Sequence, residues 1–173
     1  MQDKMWKPNI KNWEKIPLES YKLILSQSKE RFEEFASDSE SITNKSIKML
    51  GLSVLLGSAI IGYGLTINKF VFVLFILLYS IDFLLIIELI FPKEVIYRGA
   101  SPQLINWQDF DEKENTSDDK IALTYFQEIV RTGDSIERMH QYNSIRQKKY
   151  RKAILFTSIL FIGGIALIFI CRP

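Results

Sequence analysis

Three stretches of the chain, residues 49 to 67, 70 to 91 and 153 to 170, are almost free of charge, while the residues around them are densely charged. At ~1.5 Å per residue, helices of this length each reach across ~30 Å of hydrocarbon. A soluble helical bundle would instead scatter its apolar side chains at every third or fourth position. The pattern predicts an all-α membrane protein with three transmembrane helices.

The charged stretches before the first and third apolar runs carry a different rhythm. Leu18, Tyr21, Leu25, Ser28, Phe32, Phe35, Ser39, Ile42, Ser46 and Met49 alternate steps of three and four. This is a heptad seam that runs into the first apolar stretch without Gly or Pro. A second seam precedes the third run: Ala122, Phe126, Ile129, Gly133, Ile136, His140, Asn143, Gln147, Tyr150 and Ile154. Gly133 weakens that helix by ~1 kcal/mol relative to alanine. Both seams turn polar toward the apolar runs, at Ser39 and Ser46 and at His140, Asn143 and Gln147, and polar seam residues can fix register. Two cytoplasmic helical stalk extensions are expected, parallel to each other and able to pair.

The distribution of Lys and Arg orients the spans. Nine lie in residues 1–48 and eleven in residues 93–152, with Lys69 alone between the first two spans and Arg172 alone after the third. The positive-inside rule places the N-terminus and the central segment in the cytoplasm and the C-terminus outside. The expected organisation is an interfacial arm over 1–17, a stalk over 18–48 and a transmembrane hairpin over 49–92. A cytoplasmic loop and second stalk follow over 93–152, then a third span and short outer tail over 153–173. In the arm, Trp6, Ile10, Trp13 and Ile16 alternate with lysines, as in helices at a membrane surface; a short arm packed on the soluble part is the alternative. Trp6, Trp13, Lys45 and Lys48 are the expected interfacial anchors. The first 17 residues are too polar for a signal h-region, so no signal peptide is expected. Pro92 ends the second span, and Asp118 or Asp119 is the expected cap of the helix that follows.

Candidate chemistry is sparse. Asp82 lies well inside the second span, where an ionised carboxylate costs ~2.5–3.5 kcal/mol on insertion scales. Glu88 lies about one turn from the end, within snorkelling reach of Lys45 or Lys48. With no evident partner for Asp82 in the chain, water or another subunit is expected to serve. Asp82, Glu88, Ser53 and Ser58 are the expected polar contacts within the membrane or between copies; the plainer reading is a hydrogen-bonded Asp beside an ordinary interfacial Glu. Ser53–Gly57 and Ser58–Gly62 have the small-xxx-small spacing of close helix packing. His140 is the only histidine, a packing residue with no partners for a metal site or nucleophilic triad. Cys171 is the only cysteine, so no intramolecular disulfide is expected. A net charge of +2 gives no argument for nucleic-acid binding. No phosphate-binding or dinucleotide-binding glycine motif occurs, and neither an enzyme nor a cofactor is expected.

The layout of a charged helix feeding two close spans, a cytoplasmic segment and "QYNSIRQKKYRKAILF" leading into another span resembles a known group. It is similar to the small helical membrane effectors of bacterial antiphage systems, the SLATT-type proteins, and to the membrane accessory protein of type VI CRISPR systems. SLATT-type proteins usually have two spans, and the Arg–His motif of the CRISPR accessory family is absent here. The resemblance implies a homo-oligomer in the bacterial inner membrane that permeabilises or depolarises it on a cytoplasmic trigger, a protein or a signalling nucleotide. The alternatives are a non-conducting adaptor that recruits a cytoplasmic partner and, third, a transporter subunit.

Overall fold

The computed structural model describes residues 16–67, 69–91, 96 and 117–170. Every regular element among them is an α-helix: α1 Leu18–Ile67, α2 Lys69–Ile90 and α3 Ser117–Ile170. All three are long and apolar enough to cross a membrane. The arm with Trp6 and Trp13, the expected stop at Pro92, most of the central loop and Cys171 lie outside the described residues.

The start of α1 follows from its first residues. The Pro17 carbonyl accepts from the Ser20 amide at 2.9 Å, and Glu19 places negative charge in the first turn, where the helix dipole favours it. Asp118 and Asp119 stand inside the first turn of α3, which begins at Ser117, so neither is the cap the sequence suggested.

Backbone contacts divide the chain into two compact units. In the first, residues 18–37 of α1 pair with residues 117–142 of α3. Tyr21, Leu25, Ala122 and Ile129 form its core. Tyr21 meets Phe126 edge-on at 6.4 Å, and Phe35 meets His140 at 5.3 Å. Lys29 and Glu128 form an ion pair at 3.1 Å. These pairs advance together along both helices, so the two run parallel. Burial pushes the Tyr21 phenol above its ordinary pKa.

The second unit is a bundle of residues 38–67 of α1, α2, and residues 143–170 of α3. Ile60, Phe75 and Tyr79 form one apolar cluster; Ile86, Leu89 and Ala153 form another, with Met49 and Tyr150 packed against it. Its outer surface is hydrocarbon: Leu55, Leu84, Leu155 and Ile162 are each 63–70% exposed. A soluble monomer rarely exposes an apolar surface of this extent.

Small residues set the helix spacing. A methyl carbon added at Gly57 would lie 2.8 Å from the Tyr79 ring, and one at Gly164 would lie 2.9 Å from Ile60. Gly62 and Gly163 face open space. Gly57→Ala is therefore expected to destabilise the bundle by about 1–3 kcal/mol through overpacking, and Gly62→Ala not at all. Unfolding in mixed micelles, followed by circular dichroism, checks the contrast; equal midpoints for the two variants would refute the close approach at Gly57.

The seams differ in how they meet the structure. All ten predicted positions of α1 are buried or half-buried. On α3 the buried positions from residue 139 are Met139, Asn143, Arg146, Ala153 and Leu160, with Tyr150 and Thr157 half-buried between them. The seam thus includes Asn143 but runs through Met139 and Arg146, and the adjacent His140, Gln147 and Ile154 are exposed. In the 139–147 segment both registers contain polar residues. Apolar periodicity does not choose between them, and a charged residue is ordinarily placed outside.

Candidate polar core of the helix bundle

Heptad spacing on α2 puts Phe75, Tyr79, Asp82, Ile86 and Leu89 on one buried stripe. Asp82 is at a core position between the two apolar clusters and is 0% exposed. Its partners come from the other two helices. The Ser53 hydroxyl of α1 donates to Oδ2 at 2.5 Å, and the Thr157 hydroxyl of α3 donates to Oδ1 at 2.6 Å. The expectation of water or another subunit is thus corrected: the carboxylate is held within its own chain. Ser53 and Thr157 fall in step with the buried positions of their own helices, but that spacing does not pair either of them with Asp82.

A second polar node lies eleven residues earlier on α3, ~16 Å along the helix at 1.5 Å per residue. Arg146 is 4% exposed and its guanidinium joins all three helices. It donates to the Ser39 hydroxyl at 2.7 Å, the Ser39 carbonyl at 3.1 Å and the Thr43 hydroxyl at 2.8 Å. It also donates to the Leu89 carbonyl at 2.5 Å. That carbonyl is in the last turn of α2, which has no basic residue of its own. The last four carbonyls of a helix lack intrahelical donors and form its negative end. Arg146 therefore supplies from α3 the cation and the donor that α2 lacks. Its planar fork suits several acceptors at once, which a lysine does not match. Arg146 was not among the sequence candidates.

The remaining candidates occupy the bundle differently. Glu88 pairs with Lys149 of α3 at 2.7 Å, a partner the sequence reading did not name. Both side chains are partly exposed, so the pair contributes little stability. Ser58 is exposed, and its hydroxyl donates to the Leu55 carbonyl of its own helix at 2.9 Å. Lys45 and Lys48 are exposed. Ser46 is fully buried and donates to the Ile42 carbonyl at 2.8 Å. The Tyr79 hydroxyl, one turn before Asp82, is buried with no hydrogen-bond partner among the described residues, at a cost of about 1–3 kcal/mol.

The chemistry these groups offer is cohesion between helices. Hydroxyl–carboxylate and guanidinium–carbonyl bonds made away from water fix the rotation and register of each helix. The described residues include no group of three or more His, Cys, Asp or Glu placed to hold a metal ion. No protein family model, curated protein or solved structure matches this chain.

Proposed function

We propose that the protein is a non-conducting membrane anchor of the bacterial inner membrane. Its three apolar helix segments span the bilayer, and its parallel helix pair, with the central segment, recruits a cytoplasmic partner. The observation that carries this reading is the closure of Asp82. It is the one carboxylate deep in the apolar segments, and it is spent on Ser53 and Thr157 inside the bundle. The outer faces of residues 50–67, 70–81, 83–87 and 154–170 carry no charge, so they suit lipid and offer nothing to an ion path. The distribution of Lys and Arg supports an orientation with the N-terminus and central segment inside.

Purified protein in liposomes is expected to pass no ions, whether or not cell extract supplies a trigger. Flux abolished by Asp82→Asn would overturn the anchor reading in favour of a conducting one.

The second reading is the antiphage-type effector, in which copies assemble into a pore. One feature favours it, an open groove of about 480 Å³ between α1 and α2, lined by Ser53, Gly57 and Ser58 on one side and Tyr79 and Ser80 on the other. Small and hydroxyl-bearing residues at such a surface permit close helix association. Native mass in detergent separates the two readings, since a pore requires a defined ring and the anchor does not.

A further inference from the structure

The charge of the bundle is concentrated in one band, where α1 and α3 enter their apolar segments and α2 leaves its own. Residues 38–50, 84–91 and 143–153 carry seven cations against three carboxylates, Asp38, Glu40 and Glu88. Arg146 is consumed inside the bundle and Lys149 is paired with Glu88. The other five, Lys45, Lys48, Lys148, Arg151 and Lys152, are exposed and form no ion pair among the described residues. The helix pair of the first unit shows no such imbalance, since acids outnumber bases on both of its helices.

These five cations outnumber the two remaining carboxylates, Asp38 and Glu40, and leave a surplus of positive charge that attracts anions. Their immediate neighbours narrow the choice of anion. Ile47 stands between Lys45 and Lys48, while Ile145, Ile154 and Leu155 flank the cations of α3, all 40–63% exposed. A matching partner must present negative charge and hydrocarbon side by side. A free phosphate or a nucleic acid presents only the first; an anionic phospholipid presents both.

We propose that this collar is a binding surface for the phosphate headgroups of anionic phospholipids, with the adjoining isoleucine and leucine side chains against their acyl chains. The proposal rests on the membrane reading above. It adds a preference for lipid charge that three apolar helices alone would not have. Each cation near an anionic surface is worth roughly fivefold in association, and the preference should weaken as salt shortens the screening length.

The test uses the full chain reconstituted in phosphatidylcholine vesicles with spin-labelled phosphatidylglycerol or spin-labelled phosphatidylcholine. The expected result is a several-fold greater fraction of motionally restricted phosphatidylglycerol, falling toward the phosphatidylcholine value in the K148Q/R151Q/K152Q variant. The K45Q/K48Q variant on α1 should lower it independently, so a folding defect on α3 would not decide the outcome. Equal restriction of the two lipids by the wild type, or an unchanged preference in both variants, would overturn the proposal. Displacement of phosphatidylglycerol by inorganic phosphate at equal ionic strength would also overturn it, by assigning the collar to a free anion. Release of the protein by alkaline carbonate would refute the membrane reading itself, and that failure is visible before any lipid preference is read.

Discussion

Arg146→Ala is expected to lower the stability of the bundle by about 3–5 kcal/mol, the largest effect of any single substitution considered. The substitution removes four donated bonds and strands the Leu89 carbonyl at the end of α2, where water has little access. Ser39 loses a donor to both its carbonyl and its hydroxyl. The Thr43 hydroxyl retains the bond it donates to the Ser39 carbonyl at 3.2 Å, which limits the loss on α1. Most of the damage should therefore appear at the α2 terminus. Arg146→Lys keeps the charge but offers one ammonium in place of a fork, so it should recover only part of the loss. The control is Arg151→Ala, an exposed position five residues further on, expected within about 0.5 kcal/mol of wild type. Detergent-to-denaturant titration followed by circular dichroism measures all three. If Arg146→Ala unfolds at the midpoint of Arg151→Ala, the three-helix role of Arg146 is wrong.

At the other polar node, Asp82→Leu is expected to cost about 2–4 kcal/mol of fold stability while leaving the native mass in detergent unchanged. Two opposing terms meet here. Leucine inserts into hydrocarbon more readily than aspartate, but a larger side chain must fit a position with 0% exposure. It also leaves the Ser53 and Thr157 hydroxyls without their acceptor. Thr157 already shares its hydroxyl with the Ala153 carbonyl at 2.9 Å, so its loss is partial. Packing decides the sign. Asp82→Asn keeps the volume and one acceptor, and should cost about 1 kcal/mol. A double-mutant cycle with Thr157→Val should return a coupling of about 1 kcal/mol, as for hydrogen bonds between membrane helices. A change of oligomer size with no change of stability would instead place Asp82 between copies, which is the role its isolation in the sequence first pointed to.

These two nodes define the limit of what could be read along the chain. The apolar runs fixed the helices, because runs of this length with so little charge, long and apolar enough to cross ~30 Å of hydrocarbon, read as helix. The run 70–91 became α2, Lys69–Ile90, and the run 49–67 became the end of the unbroken α1. The seam of α1 was equally legible, since residues such as Tyr21, Leu25, Phe32 and Ile42 leave one register for burial. On α3 the periodic signal failed where Met139 and His140, or Arg146 and Gln147, compete as neighbours.

Partners were beyond reach for the same physical reason. A hydrogen bond leaves no periodic trace when its ends lie 57 residues apart, as with Arg146 and Leu89, or 75 apart, as with Thr157 and Asp82. Burial of a cation or a carboxylate is set by what three helices bring to one point. The sequence by itself determined the three helices, the seam of α1 and the unusual position of Asp82. Only the packing of α1, α2 and α3 decided that Asp82 is satisfied from within, and that the arginine on α3 completes the end of α2.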